Sequence, residues 1–182
     1  MRSLKPINCL SLVPVLMLAA CGGAGEEKKA EEAAAATMEA GQWATDFEVT
    51  SIRSTDKTEP ALKAAAGDKE SGSACIPAGK EATPPGDLFA GPGYECATQN
   101  SYIRNGRINM SLKCSRPGIE GDIMHTVQGS YTGTTFEGKV DTITYLPGRG
   151  DFEMSRKMTG RKTGPTCAAE EPGLETSGGK AG

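Results

Sequence analysis

From residue 42 onward the chain alternates. Trp43, Phe47 and Val49 fall on one parity and Gln42, Asp46 and Glu48 on the other, the two-residue period of a half-buried strand over residues 42–52. The period returns in Ile123, His125, Val127 and Tyr131, and again in Phe152, Met154 and Met158. Between them, Phe136 and Val140 oppose Glu137, Lys139 and Asp141. Ile143 and Tyr145 fall out of step with that run, which predicts a bulge near Thr142. Turn chemistry separates the runs at Thr132-Gly133 and over residues 146–150 (LPGRG). Two stretches lack the alternation. Residues 58–66 (TEPALKAAA) predict a short helix opening at Pro60. Residues 67–93, rich in Gly and Pro, predict irregular chain. The whole reads as an all-β domain, a single antiparallel meander of about six strands or a partly closed barrel.

Residues 94–115 (YECATQNSYIRNGRINMSLKCS) organise the rest, as a β-hairpin turning at Asn105-Gly106. A two-residue turn there would set Cys96 opposite Ser115. A three-residue loop over 104–106 sets Tyr102 opposite Ile108 and Cys96 opposite Cys114. It places Tyr102, Ile108, Met110 and Leu112 on one face with both sulfurs, and Arg107, Asn109, Ser111 and Lys113 on the other. That register predicts the three-residue loop and a Cys96–Cys114 disulfide.

The first 20 residues follow another pattern. Arg2 and Lys5 precede an apolar run over residues 7–20 that is short for a membrane span, the form of an export signal. Leu18-Ala19-Ala20-Cys21 resembles the lipobox of bacterial lipoproteins. The resemblance implies cleavage before Cys21 and acylation of its thiol and new amine, an anchor strong enough to be effectively permanent. Gly22, where an Asp would direct retention, implies the outer membrane facing the periplasm. Residues 21–40 then read as the lipidated N-terminus and a flexible tether, able to span roughly 65 Å when extended. Residues 41–167 are the expected domain, and residues 168–182 a disordered tail.

Of 20 basic and 23 acidic side chains, Arg2 and Lys5 leave with the signal, so 18 oppose 23 and the exported chain carries −5. That balance argues against nucleic acid as a partner. With Cys9 removed and Cys21 lipidated, Cys75, Cys96, Cys114 and Cys167 remain, which allows three pairings. The hairpin selects Cys96–Cys114 and leaves Cys75–Cys167. The spacings of 21, 18 and 53 residues do not resemble the close pairs of a zinc site, so no metal and no cofactor is expected.

The opening Gly41-Gln42-Trp43, the four spaced cysteines, the glycine-broken strands and the closing Met158-Thr159-Gly160-Arg161…Gly164…Cys167 together resemble the bacterial domain-of-unknown-function family numbered 3617. Its members are small exported proteins and lipoproteins. The resemblance covers about residues 41–167 and departs at Gly164-Pro165-Thr166-Cys167, where one residue is expected between Gly and Cys. It implies no activity, cofactor or catalytic residue.

Chemistry-bearing motifs are sparse. The sole histidine, His125, shares a face with Ile123 and Val127, where a hydrogen-bonded structural role is expected before a ligand role. Arg156 stands between Met154 and Met158 on an apolar face. A bulge turns it outward, or it points inward and needs an anion. His125 and Arg156 are thus the two ligand candidates. No nucleophile–base or metalloprotease motif occurs, and Glu120, Asp122 and Glu137 are unpaired carboxylates. The first expectation is a non-enzymatic, lipid-anchored envelope protein, structural or partner-binding. The alternative is a periplasmic β-module for a small ligand or lipid.

Overall fold

The computed structural model describes residues 37–167. The expected signal, Cys21, most of the expected tether and the expected tail lie outside the described residues. Seven strands form one curled antiparallel sheet, a half-barrel: β1 (Gly41–Ser54), β2 (Lys69–Ile76), β3 (Glu95–Arg104), β4 (Arg107–Arg116), β5 (Ile119–Tyr131), β6 (Thr135–Tyr145) and β7 (Phe152–Gly164). Their order is β2-β1-β7-β6-β5-β4-β3, so β1 pairs with the last strand while β3 to β7 run as a meander. A four-residue helix, α1 (Asp87–Ala90), lies between β2 and β3.

Alternation decides which side chains enter the concave face. Trp43 and Phe47 of β1, Ile108, Met110 and Leu112 of β4, Val127 of β5, Phe136 and Val140 of β6 and Met158 of β7 are all buried in one cluster. Leu88, Phe89 and Ala90 of α1 are fully buried in the same cluster, and the Phe89 ring lies 5.2 Å from that of Phe136. The helix therefore fills the hollow of the sheet. Met38 is also fully buried, and Glu39 receives the Trp43 indole N–H at 3.1 Å, so packed structure reaches back into the segment expected as tether.

The expected all-β class and both cysteine pairings are present, with Cα–Cα distances of 4.1 Å for Cys96–Cys114 and 5.4 Å for Cys75–Cys167. Several local expectations need correction. The hairpin turns on two residues, Asn105 (φ 54°) and Gly106 (φ 69°), with Arg104 opposite Arg107. A register shift between Thr98 and Asn100 leaves Gln99 as an extra residue, and this bulge returns Cys96 to Cys114. Between turn and bulge the parity of β3 is reversed: Ile103 faces Ile108, and Tyr102 is 40% exposed.

The bulge near Thr142 is absent, since β5 and β6 pair without interruption from Asp122–Tyr145 to Tyr131–Phe136. Thr142 and Thr144 take the buried positions because each finds a hydrogen bond there, and Ile143 and Tyr145 face out. Residues 58–66 form no helix. Asp56 accepts the Thr58 N–H, Ala61 donates to Gly150 at 2.9 Å, and Gly67 donates to Val49 at 2.8 Å. With those groups engaged elsewhere the segment is irregular, a strap that sets Leu62 and Ala64 against Val49, Phe152 and Met154. The region expected to be irregular contains β2, a full edge strand paired to β1, so the sheet has seven strands where about six were expected.

Candidate functional site

Arg156 points inward, as its parity between Met154 and Met158 requires, and is 1% exposed. A bulge does occur beside it, but on β1: the register shifts between Val49 and Ser51, opposite Arg156 and Ser155. Arg156 Nη2 donates to the Ala90 carbonyl at the end of α1, at 2.6 Å. Its guanidinium lies 5.1 Å from the ring centres of both Phe47 and Tyr94. The segment after α1 can pass this close because Gly91, at φ 92°, has no Cβ; one built there would sit 2.9 Å from Arg156 Nη1 and 3.2 Å from Phe47.

A second arginine joins the first. Arg116, at the end of β4, lies over the Tyr94 ring at 4.6 Å. Glu70 of β2 reaches both guanidiniums, at 3.4 Å from Arg116 Nη2 and 3.6 Å from Arg156 Nη1. Both distances exceed the 2.7–2.9 Å or so of a good charge-assisted hydrogen bond. One loosely placed carboxylate thus serves one buried and one half-buried cation. Among the described residues, Arg156 Nε and Nη1 and Arg116 Nη1 are buried without a hydrogen-bond acceptor. Burial lowers the pKa of the Arg156 guanidinium from its ordinary value, with Glu70 opposing and Arg116 adding to the effect.

Tyr94 links this pair to the histidine. Its ring meets His125 edge-on at 4.7 Å, and its buried hydroxyl has no partner among the described residues. His125 is 1% exposed and directly opposite Thr142, whose hydroxyl lies 2.9 Å from Nδ1. Burial, then the charges of Arg156 and Arg116, lower its pKa to about 3, so the imidazole is neutral at ordinary pH. His125 also lies beside the Cys96–Cys114 bridge, with the potential ligand atoms of all three within 4.8 Å of one another. Bridged sulfurs offer no thiolate, the form a metal would need.

The structure therefore brings the two sequence candidates, His125 and Arg156, against one tyrosine, Tyr94. Glu70, Arg116 and Tyr94 were not singled out from the sequence. The need for a counter-charge at Arg156 is a signal for Glu70 alone. Beside the arginines is a pocket of about 270 Å³, walled by Val49, Leu62, Ala64 and Met154. A larger depression, about 770 Å³, lies where the Asn105-Gly106 turn meets Thr132, and it includes none of the side chains with unpartnered buried donors.

Glu120, Asp122 and Glu137 are not brought together as a carboxylate pair: Asp122 pairs with Lys113 at 2.9 Å, and Glu137 sits on the neighbouring strand opposite Ser130. No curated protein and no solved structure shows a significant match to the chain. The family described as "protein of unknown function (DUF3617)" matches residues 38–167, which include every strand and both disulfides, and the chain belongs to that family.

Proposed function

We propose that the chain is a lipid-anchored protein of the cell envelope that acts by display and contact, as a structural or partner-binding module and not as an enzyme. The order of its parts carries this reading. Leu18-Ala19-Ala20-Cys21 comes first, then a low-complexity segment, then a disulfide-stapled β domain whose concave face is filled by its own α1. A filled face turns attention to the outer surfaces and their contacts. The sole histidine, buried and held neutral, is poorly placed to serve as a general base. On this reading the protein is held by acyl chains on Cys21, on the periplasmic side of the outer membrane.

The test is replacement of Cys21 by Ser, followed by membrane fractionation and fatty-acid labelling. The variant is expected to lose the label and to leave the membrane fraction or remain unprocessed. A labelled, membrane-bound Cys21→Ser protein would refute the anchor. A second reading, binding of a small ligand, draws on a different observation. An open apolar face is not available, because α1 occupies it. Unpartnered arginine donors beside a pocket support this reading instead.

A further inference from the structure

We propose that the pocket between the strap and the arginine pair binds a small carboxylic acid in its anionic form, the carboxylate on Arg116 and Arg156 and a short apolar chain against Leu62. The proposal rests on the ligand-binding reading and is independent of the lipid anchor. Its first support is the set of donors. Arg156 is almost wholly buried, yet Nε and Nη1 lack acceptors, as does Arg116 Nη1. Buried donors of a charged group are costly to leave unmade, so an acceptor that reaches them once Glu70 moves aside would be favoured.

The second support is the local charge. Lys63, Lys69, Arg116 and Arg156 line the pocket against Asp68 and Glu70, and the two lysines each have a carboxylate outside that lining. Asp68 is already engaged, accepting the Ala65 N–H at 2.8 Å. Lys63 pairs with Glu59, and Lys69 lies 3.7 Å from Glu48. Glu70 is left as the one anion between the guanidiniums, and it touches both loosely.

Glu70 also indicates the kind of anion. Its contact with both arginines means that a single carboxylate can span them. It extends from the edge strand β2 with its side chain 35% exposed, so it can swing aside. An incoming carboxylate would take over its place with the same charge and geometry, whereas phosphate, largely a dianion at neutral pH, would bring a second charge toward the displaced Glu70. The remaining wall is apolar: Val49, Leu62, Ala64 and Met154. At about 270 Å³ the space falls just below the roughly 300–1,000 Å³ of sites for drug-sized ligands, which fits a short acid.

The test uses sodium hexanoate with the full chain as purified, read by titration calorimetry and by the ¹⁵Nε–¹H resonances of its arginines. Hexanoate is expected to bind and to shift Arg156 Nε, while hexan-1-ol and inorganic phosphate bind at least about tenfold more weakly. Glu70→Gln removes the internal competitor and should tighten binding about tenfold. Arg116→Gln should weaken it about tenfold or more. Leu62→Asp, which leaves both guanidiniums in place, should weaken it similarly, with circular dichroism confirming that each variant is folded. The proposal is overturned if neither the wild type nor Glu70→Gln binds hexanoate. It is equally overturned if Glu70→Gln binds no more tightly than the wild type, or if hexan-1-ol or phosphate binds as well as hexanoate. Since the Cys21→Ser experiment reads only membrane association, either result can fail alone.

Discussion

His125 shows how one buried side chain sets a condition on the whole fold. Its ring is almost fully buried between Tyr94 and Thr142, and its pKa is lowered from 6.5 to about 3 by burial and then by the two arginines. In the unfolded chain it takes up a proton near pH 6.5, whereas the folded chain refuses it until far lower pH. The stabilising contribution is therefore complete above about pH 6.5 and is lost as pH falls toward 3. Between pH 6.5 and 5, above the ordinary carboxylate range, this loss should approach about 1.4 kcal/mol per pH unit. Urea midpoints from pH 7.5 to 5 should fall in the wild type and stay nearly level in His125→Gln; equal slopes would contradict the assignment. Gly91 sets another condition. Gly91→Ala should cost about 1–3 kcal/mol through its positive φ, with more from contact with Arg156 and Phe47. Gly67→Ala has a similar φ (95°) but open space around it, so its urea midpoint should fall less.

Among the elements, the hairpin shows both the reach of the sequence and its limit. The Asn105-Gly106 turn and the inward run Ile108, Met110, Leu112 and Cys114 follow from turn chemistry and period. The three-residue loop does not occur, because the extra residue needed to align the cysteines sits at Gln99, where nothing in the sequence marks a bulge. β2 was hidden for a different reason: KESGSACI is an edge strand of small and polar residues, so its faces carry no hydrophobic alternation. The strap has helix formers in sequence, but Asp56 gathers Ser54, Thr58 and the Gly150 N–H around itself and fixes a non-helical path. Asp56→Asn should therefore loosen the strap and the β6–β7 turn together, seen as faster amide exchange at Thr58 and Gly150. The two disulfides close loops of very different length, with sequence separations of 18 and 92. Cys96→Ser with Cys114→Ser should cost about 3 kcal/mol, and Cys75→Ser with Cys167→Ser more, about 4–5 kcal/mol, by chemical denaturation. Similar losses for the two pairs would contradict the loop-length account.

At the scale of the whole molecule, the fold is a curled sheet closed over its own connecting segment. α1 brings Leu88, Phe89 and Ala90 into the hollow, and the Ala90 carbonyl secures Arg156. Parity in β5 and β7 set His125 and Arg156 on apolar faces, with an outward bulge at Arg156 left as the alternative. It could not predict that Glu70, Tyr94 and Arg116 meet them, since those residues arrive from an edge strand, a loop and a strand end. The account depends most on the hollow being occupied by α1, which leaves the arginine pocket as the candidate for a small ligand. The direct measurement is nuclear Overhauser contact between the Phe89 and Phe136 rings, combined with the effect of a soluble paramagnet on Phe89. Strong Phe89–Phe136 contacts and a shielded Phe89 are expected in the ligand-free protein, with Phe89→Ala costing about 3–5 kcal/mol. A Phe89 ring that lacks these contacts and is broadened by the paramagnet would mean an open concave face, and would contradict the account.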